Sequence, residues 1–363
     1  MTQKTINALH IYILIIMSTG FMGHVLMVPI LLSTSNRDSW LSVILSMIPL
    51  ILWILILFYL YKKLLPDENI LSVLKRKCPY PWMYMILSVS LGTYFFITAF
   101  ITLKYTLFWA KGNYTLETPD YVIVLLFVLI CFYSTKKGLL TISTMAFLVL
   151  PFVSILGFLV GIGNSSNKNY EQLFPLFENG YSPFFHGFIY SCAGLFEILF
   201  LLFLSPFIKD HLKVKWLLLV GLILVVLILG PLTGAISEFG PQEAAKMRNP
   251  AYEQWRLLKI GEHFTRLDFL SIFQWLSGAF IRISLSLFIA EKILSLKKKA
   301  NLLLPSLYLL LFISVCFPLD ARSFFYILQT YFFPISLGFQ ISFCTLFLFL
   351  IHSKGVQHEK STK

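Results

Sequence analysis

The sequence predicts an all-α integral membrane protein, with ten transmembrane helices in two inverted five-helix repeats and with the first and sixth helices broken near their middles. Three observations predict it. The chain is 58% hydrophobic and only 13% charged, against about 25% charged residues in an ordinary soluble domain. Its apolar runs have the length of a bilayer crossing, and its basic residues crowd into alternate breaks between those runs. Polar surface this sparse cannot clothe a water-soluble globule, which excludes a cytosolic enzyme. The net charge of +12 is spread between apolar runs along the whole chain, so it reads as membrane topology and not as a nucleic-acid surface.

The apolar runs lie at 8–32, 40–61, 81–109, 119–135, 138–162, 184–208, 216–237, 266–291, 300–318 and 326–351. At about 20 residues per crossing, ten spans leave only short loops and no separate soluble domain. The first run has no small-residue cleavage site ahead of a polar domain, so a retained span and a full-length chain are expected, not a signal peptide. Spans four and five are parted by little more than Ser134 to Gly138, which predicts a tight hairpin. Between spans two and three, Asp67 to Lys77 sets Ile70, Leu71, Val73 and Leu74 among charges, the pattern of a helix on the membrane surface or of a solvated loop. The connections at 163–183 and 238–265 are long enough to cap one face or meet a partner. Cys131, Cys192, Cys316 and Cys344 fall in apolar runs and Cys78 in a basic loop, so no disulfide framework is implied.

One set of alternate breaks holds eighteen Lys and Arg residues and the other nine, with Lys104 and Arg282 inside spans. The positive-inside rule then places both termini in the cytoplasm. Five spans in each half invert the second half relative to the first: residues 1–163 form one repeat, 164–183 an outer loop, 184–351 the second repeat and 352–363 a cytoplasmic tail. Each half opens with an interrupted apolar helix, at Met17-Ser18-Thr19-Gly20-Phe21-Met22-Gly23 and at Tyr190-Ser191-Cys192-Ala193-Gly194. Interruptions at corresponding positions point to a transporter-type site at the bilayer midplane, although Gly and Ser clusters also serve close helix packing.

The stretch Pro250-Ala251-Tyr252-Glu253 through Arg256, Ile260-Gly261-Glu262-His263-Phe264 and Arg266-Leu267-Asp268-Phe269 resembles the outer segment leading into span eight of the spore germination permeases. Leu173-Phe174-Pro175 to Gly180, Gly194 with Glu197, and Trp275 with Gly278 match in order. These proteins are the B subunits of nutrient germinant receptors and look like amino acid, polyamine and organocation transporters. The resemblance covers essentially the whole chain. It implies a small-nutrient sensor in the spore inner membrane, working beside an A subunit and a lipoprotein C subunit within membrane lipid. The competing expectation is a secondary active transporter of amino acids or organocations, which shares the fold but not the function.

In an interrupted helix, freed N–H groups at the start of the second half carry roughly half a positive charge and welcome a carboxylate, while freed carbonyls receive an ammonium group. The candidate ligand-binding residues are therefore Thr19, Gly20 and Gly23 in span one and Ser191, Cys192 and Gly194 in span six, a pair of sites that matches a zwitterionic amino acid. Glu197 follows Gly194 by one turn. A carboxylate in lipid costs about 2.5–3.5 kcal/mol and is rarely left facing it, so Glu197 is expected to bind an ammonium group, exchange a proton or pair with a base. Tyr94 and Thr98 in span three, and Trp275 and Ser277 beside Gln274 in span eight, are candidate site walls, though Tyr and Trp also fill helix interfaces.

Arg282 is too deep in span eight to reach headgroups. In the fold that the resemblance implies, spans one and eight flank a sodium site, so its guanidinium is expected either to stand in for the coupling ion and gate the bundle or to form a structural pair with Glu197 or Glu291. Lys104 is expected to extend toward outer headgroups. His24, His186 and His263 lack metal-ligand spacing, and neither a phosphate-binding loop nor a nucleophile elbow occurs. No enzyme activity, cofactor or metal is expected.

Overall fold

The computed structural model describes residues 5–64, 70–78, 80–261, 263, 265–295 and 302–352. The tail 353–363, the lysines at 297–299, and Glu262 and Phe264 of the germination-permease stretch lie outside the described residues. The architecture is all-helical. Among the described residues, seven helical stretches are long and apolar enough to cross a membrane: Ala8–Lys63, Pro81–Asn113, Leu139–Gly163, Tyr181–Phe207, Val214–Phe239, Leu270–Leu294 and Ala321–His352.

The first stretch runs 56 residues, about 84 Å if straight, nearly three times the roughly 30 Å hydrocarbon core. It is interrupted at Asn36, whose φ is 48°. Before that point lie α1 (Ala8–Phe21) and α2 (Val28–Ser35), and after it α3 (Ser39–Leu45) and α4 (Met47–Lys63). Helices α2 and α3 both pack on α9 (Tyr181–Leu195), so the chain folds back on itself at the Asn36 turn.

The short helix α5 (Ile70–Lys77) buries Ile70, Val73 and Leu74 and leaves Lys75 exposed, so the segment is an amphipathic helix and not an irregular loop, with its apolar face packed on the bundle. Pro81 starts α6 (Pro81–Asn113) at the position where a missing N–H costs nothing. Helices α7 (Asp120–Lys137) and α8 (Leu139–Gly163) are joined by Gly138 alone, at φ 99°. That is the predicted hairpin at its tightest.

The second half continues through α9 and α10 (Phe200–Leu204), α11 (Val214–Phe239), α12 (Pro241–Ala244), α13 (Pro250–Leu257), α14 (Leu270–Leu294), α15 (Leu303–Cys316), α16 (Ala321–Ile327) and α17 (Phe333–His352). The stretch containing α9 and α10 is the buried heart of the bundle, whereas α8 lies at its exposed periphery. Helix α14 packs along α6 and also touches α1, α7, α8 and α15. Its small residues Gly278, Ala279, Ser284, Ser286 and Ala290 allow this close approach. Between the spans, α12 and α13 pack on α11 and α2, so this part of the 238–265 connection caps the bundle there.

The predicted breaks in spans one and six are not unwound. Helix α1 passes directly into a π-helical segment, Met22–Met27, and then into α2. Helix α9 passes into a 3-10 turn, Phe196–Leu199, and then α10. Gly20 and residues 191–194 are ordinary α-helix, and Gly23 sits within the π segment. The pitch changes but the rods are continuous.

The glycines serve packing instead. A Cβ on Gly20 would come within 3.1 Å of Leu227 Cδ1, one on Gly23 within 2.6 Å of Ile228 Cγ1, and one on Gly194 within 2.6 Å of Met27 Sδ. Gly278 admits Phe21 in the same way, at 2.5 Å.

Gly23→Leu should therefore lower stability in detergent by about 1–3 kcal/mol through overpacking, read as a fall in the thermal unfolding midpoint. Gly112→Ala, where nothing lies within 4 Å, should leave that midpoint unchanged or slightly raised.

Candidate functional site

Arg282 is placed by the small-residue face of α14 and is fully buried, as is Glu197 in the 3-10 turn after α9. The two form a two-pronged ion pair, with Arg282 Nη1 donating to Glu197 Oε2 at 2.6 Å and Nη2 to Oε1 at 2.8 Å. Nη1 also donates to the Ser18 carbonyl of α1 at 3.0 Å, and Nε donates to Thr102 Oγ1 of α6 at 3.0 Å. One guanidinium thus joins the first, third, sixth and eighth predicted spans. The planar fork of arginine suits this task, since it meets both carboxylate oxygens at once and keeps N–H groups for further acceptors.

Thr102 can accept from Arg282 because its own proton goes elsewhere. Along α6, Thr98 donates to the Tyr94 carbonyl at 3.0 Å, Thr102 to the Thr98 carbonyl at 2.7 Å and Thr106 to the Thr102 carbonyl at 2.8 Å. Thr98, predicted as a site wall, therefore directs its hydrogen bond back to its own helix. The spacing of threonines at every fourth residue was the available signal for Thr102.

Tyr94 belongs to a second polar group. Gln340 Nε2, in α17, lies 2.8 Å from Tyr94 Oη, 2.9 Å from Ser336 Oγ and 3.2 Å from the Ala193 carbonyl. Gln340 escaped the sequence reading, although a lone amide in an apolar span is itself a signal.

The main-chain acceptors near both pitch changes are met by side chains of other helices. Arg282 takes the Ser18 carbonyl, and Gln340 and Trp53 Nε1 take the carbonyls of Ala193 and Phe196; Tyr105 Oη lies 3.4 Å from the Val25 carbonyl in the π segment, farther than from its acceptor in the 238–265 connection. His24 Nδ1 lies 3.0 Å from the Leu227 carbonyl, the acceptor orphaned because Pro231 four residues on has no N–H. His24 is structural, and its Nδ1 must carry the proton.

Trp275 is drawn into an aromatic lid. Its ring lies parallel to Trp109 at 4.4 Å and to Tyr105 at 5.6 Å, and edge-on to Phe21 at 6.1 Å. Tyr105 Oη also donates to the Arg248 carbonyl at 2.9 Å, and Tyr114 Oη to the Asp268 carbonyl at 2.9 Å, which ties the lid to the cap. Burial pushes the Asp268 carboxyl up, but the hydrogen bond and charge of Arg266 outweigh it and hold the group below the usual carboxylate range.

Lys104 does not extend toward headgroups. It is 3% exposed and caps the end of α15 through the Val315 and Phe317 carbonyls at 2.8 and 3.0 Å, where a cation complements the helix dipole.

Among the described residues, Cys192 and Ser277 take no part in these networks; Ser277 lies about 140° around the helix from Arg282. Glu291 pairs with Lys292 at 2.9 Å and not with Arg282. Ser18 Oγ, Thr19 Oγ1, Ser191 Oγ, Trp275 Nε1 and Gln340 Oε1 are buried with no hydrogen-bond partner among the described residues. A buried polar group left unpaired costs about 1–3 kcal/mol, so these atoms mark where a polar solute or water would be welcome. No three or more His, Cys, Asp or Glu side chains gather to hold a metal among the described residues.

A family model described as spore germination protein matches residues 5–324. The chain is 39% identical over 353 residues to spore germination protein XB of Bacillus anthracis, covering 96% of this chain and 99% of that protein. It is 25% identical over 272 residues to spore germination protein KB of Bacillus subtilis (strain 168), covering 70% of this chain and 69% of that protein. A putative spore germination protein of the same organism, YfkT, is also 25% identical, over 262 residues, 72% of this chain and 71% of that protein.

Glu197→Ala leaves the Arg282 charge buried without its partner and should cost about 3–5 kcal/mol of stability. Glu197→Leu combined with Arg282→Met removes both charges and should recover most of that loss. Thermal unfolding of the three proteins in one detergent checks the order.

Proposed function

The chain belongs to the spore germination permease family, and we propose that it is the permease-like subunit of a nutrient germinant receptor, binding a small nutrient at the bilayer midplane. Its ten spans form two inverted repeats, 1–163 and 184–351, with both termini on the cytoplasmic side of the spore inner membrane. The count is reached by dividing the first helical stretch at Asn36 and adding α7 and α15 to the seven long apolar stretches. An A subunit and a lipoprotein C subunit are the partners that carry the signal onward.

The observation that carries this reading is the Arg282–Glu197 pair. It is neutral as a whole and joins four spans, so it holds them in one arrangement. A zwitterionic amino acid brings a carboxylate for Arg282 and an ammonium group for Glu197, and it can exchange partners with the pair while leaving no buried charge alone. Thr19 and Ser191 supply the unmet hydroxyls, and Tyr94 lines the approach from α6. The guanidinium on the Ser18 carbonyl takes the place of a coupling cation. Such a ligand acts only through its different affinity for the two arrangements.

In sodium-free buffer, members of a panel of L-amino acids should raise the unfolding midpoint of the purified protein. Thr19→Val, which keeps the charge pair, should reduce that shift. Reconstituted vesicles should bind but not accumulate the same amino acid. Accumulation against a gradient by this chain alone would establish the transporter instead, and a shift that requires sodium would remove the role given to Arg282.

A further inference from the structure

The lipid-facing surface carries a groove of about 380 Å³ between α4 and α17, lined by Leu52, Leu55, Ile56, Tyr59 and Leu348. Ile48, Leu52, Leu55 and Tyr59 form one exposed stripe along α4, 60%, 58%, 44% and 39% accessible, so the groove runs lengthwise with the helix. At its end the two helices are joined by Tyr59 and His352, whose Oη and Nε2 lie 2.9 Å apart and whose rings stack at 6.0 Å.

Lys62 and Lys63 follow in the last turn of α4, both exposed. The Lys63 ammonium group lies over the ring of Tyr59, a residue of the groove, at 5.6 Å, and that of Lys62 over the neighbouring ring of Phe58 at 5.0 Å, so both are folded back along the end of the helix that bounds the groove. Helix α5 packs on α17 near the same end and brings Lys75.

We propose that this groove is a binding site for one anionic phospholipid, with an acyl chain along Leu52, Leu55, Ile56 and Leu348 and the phosphate on Lys62 and Lys63. An apolar channel that ends in two ammonium groups has the polarity of such a lipid, apolar along its length and negative at one end. A groove of this volume suits acyl chains, whereas a further helix is about 10–12 Å across. The proposal rests on the membrane placement of α4 and α17 and not on any nutrient, so it stands or falls separately from the receptor reading.

Native mass spectrometry of the full chain, released from vesicles of equal phosphatidylglycerol and phosphatidylcholine, tests it. The wild type should retain phosphatidylglycerol with about tenfold preference, the size expected of one to two lysines beside a charged headgroup. K62Q/K63Q should abolish the preference. Leu55→Trp, which fills the groove from its lipid side and so spares the interior, should reduce retention of both lipids severalfold, and free glycerol 3-phosphate should not displace the bound lipid.

Equal retention of the two lipids by the wild type, or an unchanged preference in K62Q/K63Q, would overturn the proposal. So would displacement by glycerol 3-phosphate, which would mark a headgroup site without a seat for the chain. Crosslinking from Leu55→Cys to a protein partner in place of lipid would assign the groove to that partner.

Discussion

The bundle is organised around one requirement, that the charge of Arg282 be met inside a medium that cannot solvate it. An isolated guanidinium or carboxylate at this depth is costly. Four helices meet the requirement together: α14 supplies the guanidinium, the 3-10 turn after α9 the carboxylate, α1 a main-chain carbonyl and α6 a hydroxyl. The small residues of α14 and the glycines facing Leu227, Ile228 and Met27 bring the helices close enough for these bonds to form. Packing and charge pairing are therefore two sides of one constraint, since neither the short contacts nor the bonds survive if the helices draw apart.

Irregular helix pitch does not by itself open the main chain to a solute. The π segment of the first span and the 3-10 turn of the sixth loosen the regular ladder, yet Arg282, Tyr105, Gln340 and Trp53 approach the acceptors involved from neighbouring helices. Main-chain polarity at the pitch changes is present but engaged, and the groups left unmet nearby among the described residues include the hydroxyls of Ser18, Thr19 and Ser191.

The helical class, the tight turn at Gly138 and the amphipathic Ile70–Lys77 were legible because each depends on local pattern or a single special residue. Arg282 and Glu197 were legible as anomalies, since charges in apolar runs demand partners, and pairing between them was one of the two readings open for Arg282. What was not legible was set by the far side of a contact. A glycine cluster permits both unwinding and close approach, and the choice was made by Leu227, Ile228 and Met27, which lie on other helices. The Ser18 carbonyl has no letter of its own in a sequence. Lys104 was misread because the carbonyls it caps belong to a helix end some 200 residues later.

The beginning of the first span and the end of the sixth are stitched together by main-chain bonds. Ile6 bridges to Ile208, Lys209 N donates to the Ile6 carbonyl at 2.8 Å, and the Asp210 carboxylate takes the amide of Ala8 at 2.6 Å. The far ends are fastened as well, since α2 packs on α9 and Ser35 Oγ donates to the Pro183 carbonyl at 2.6 Å, so the two pitch-changed segments are clasped between two seams and neither rod can shift without carrying the other.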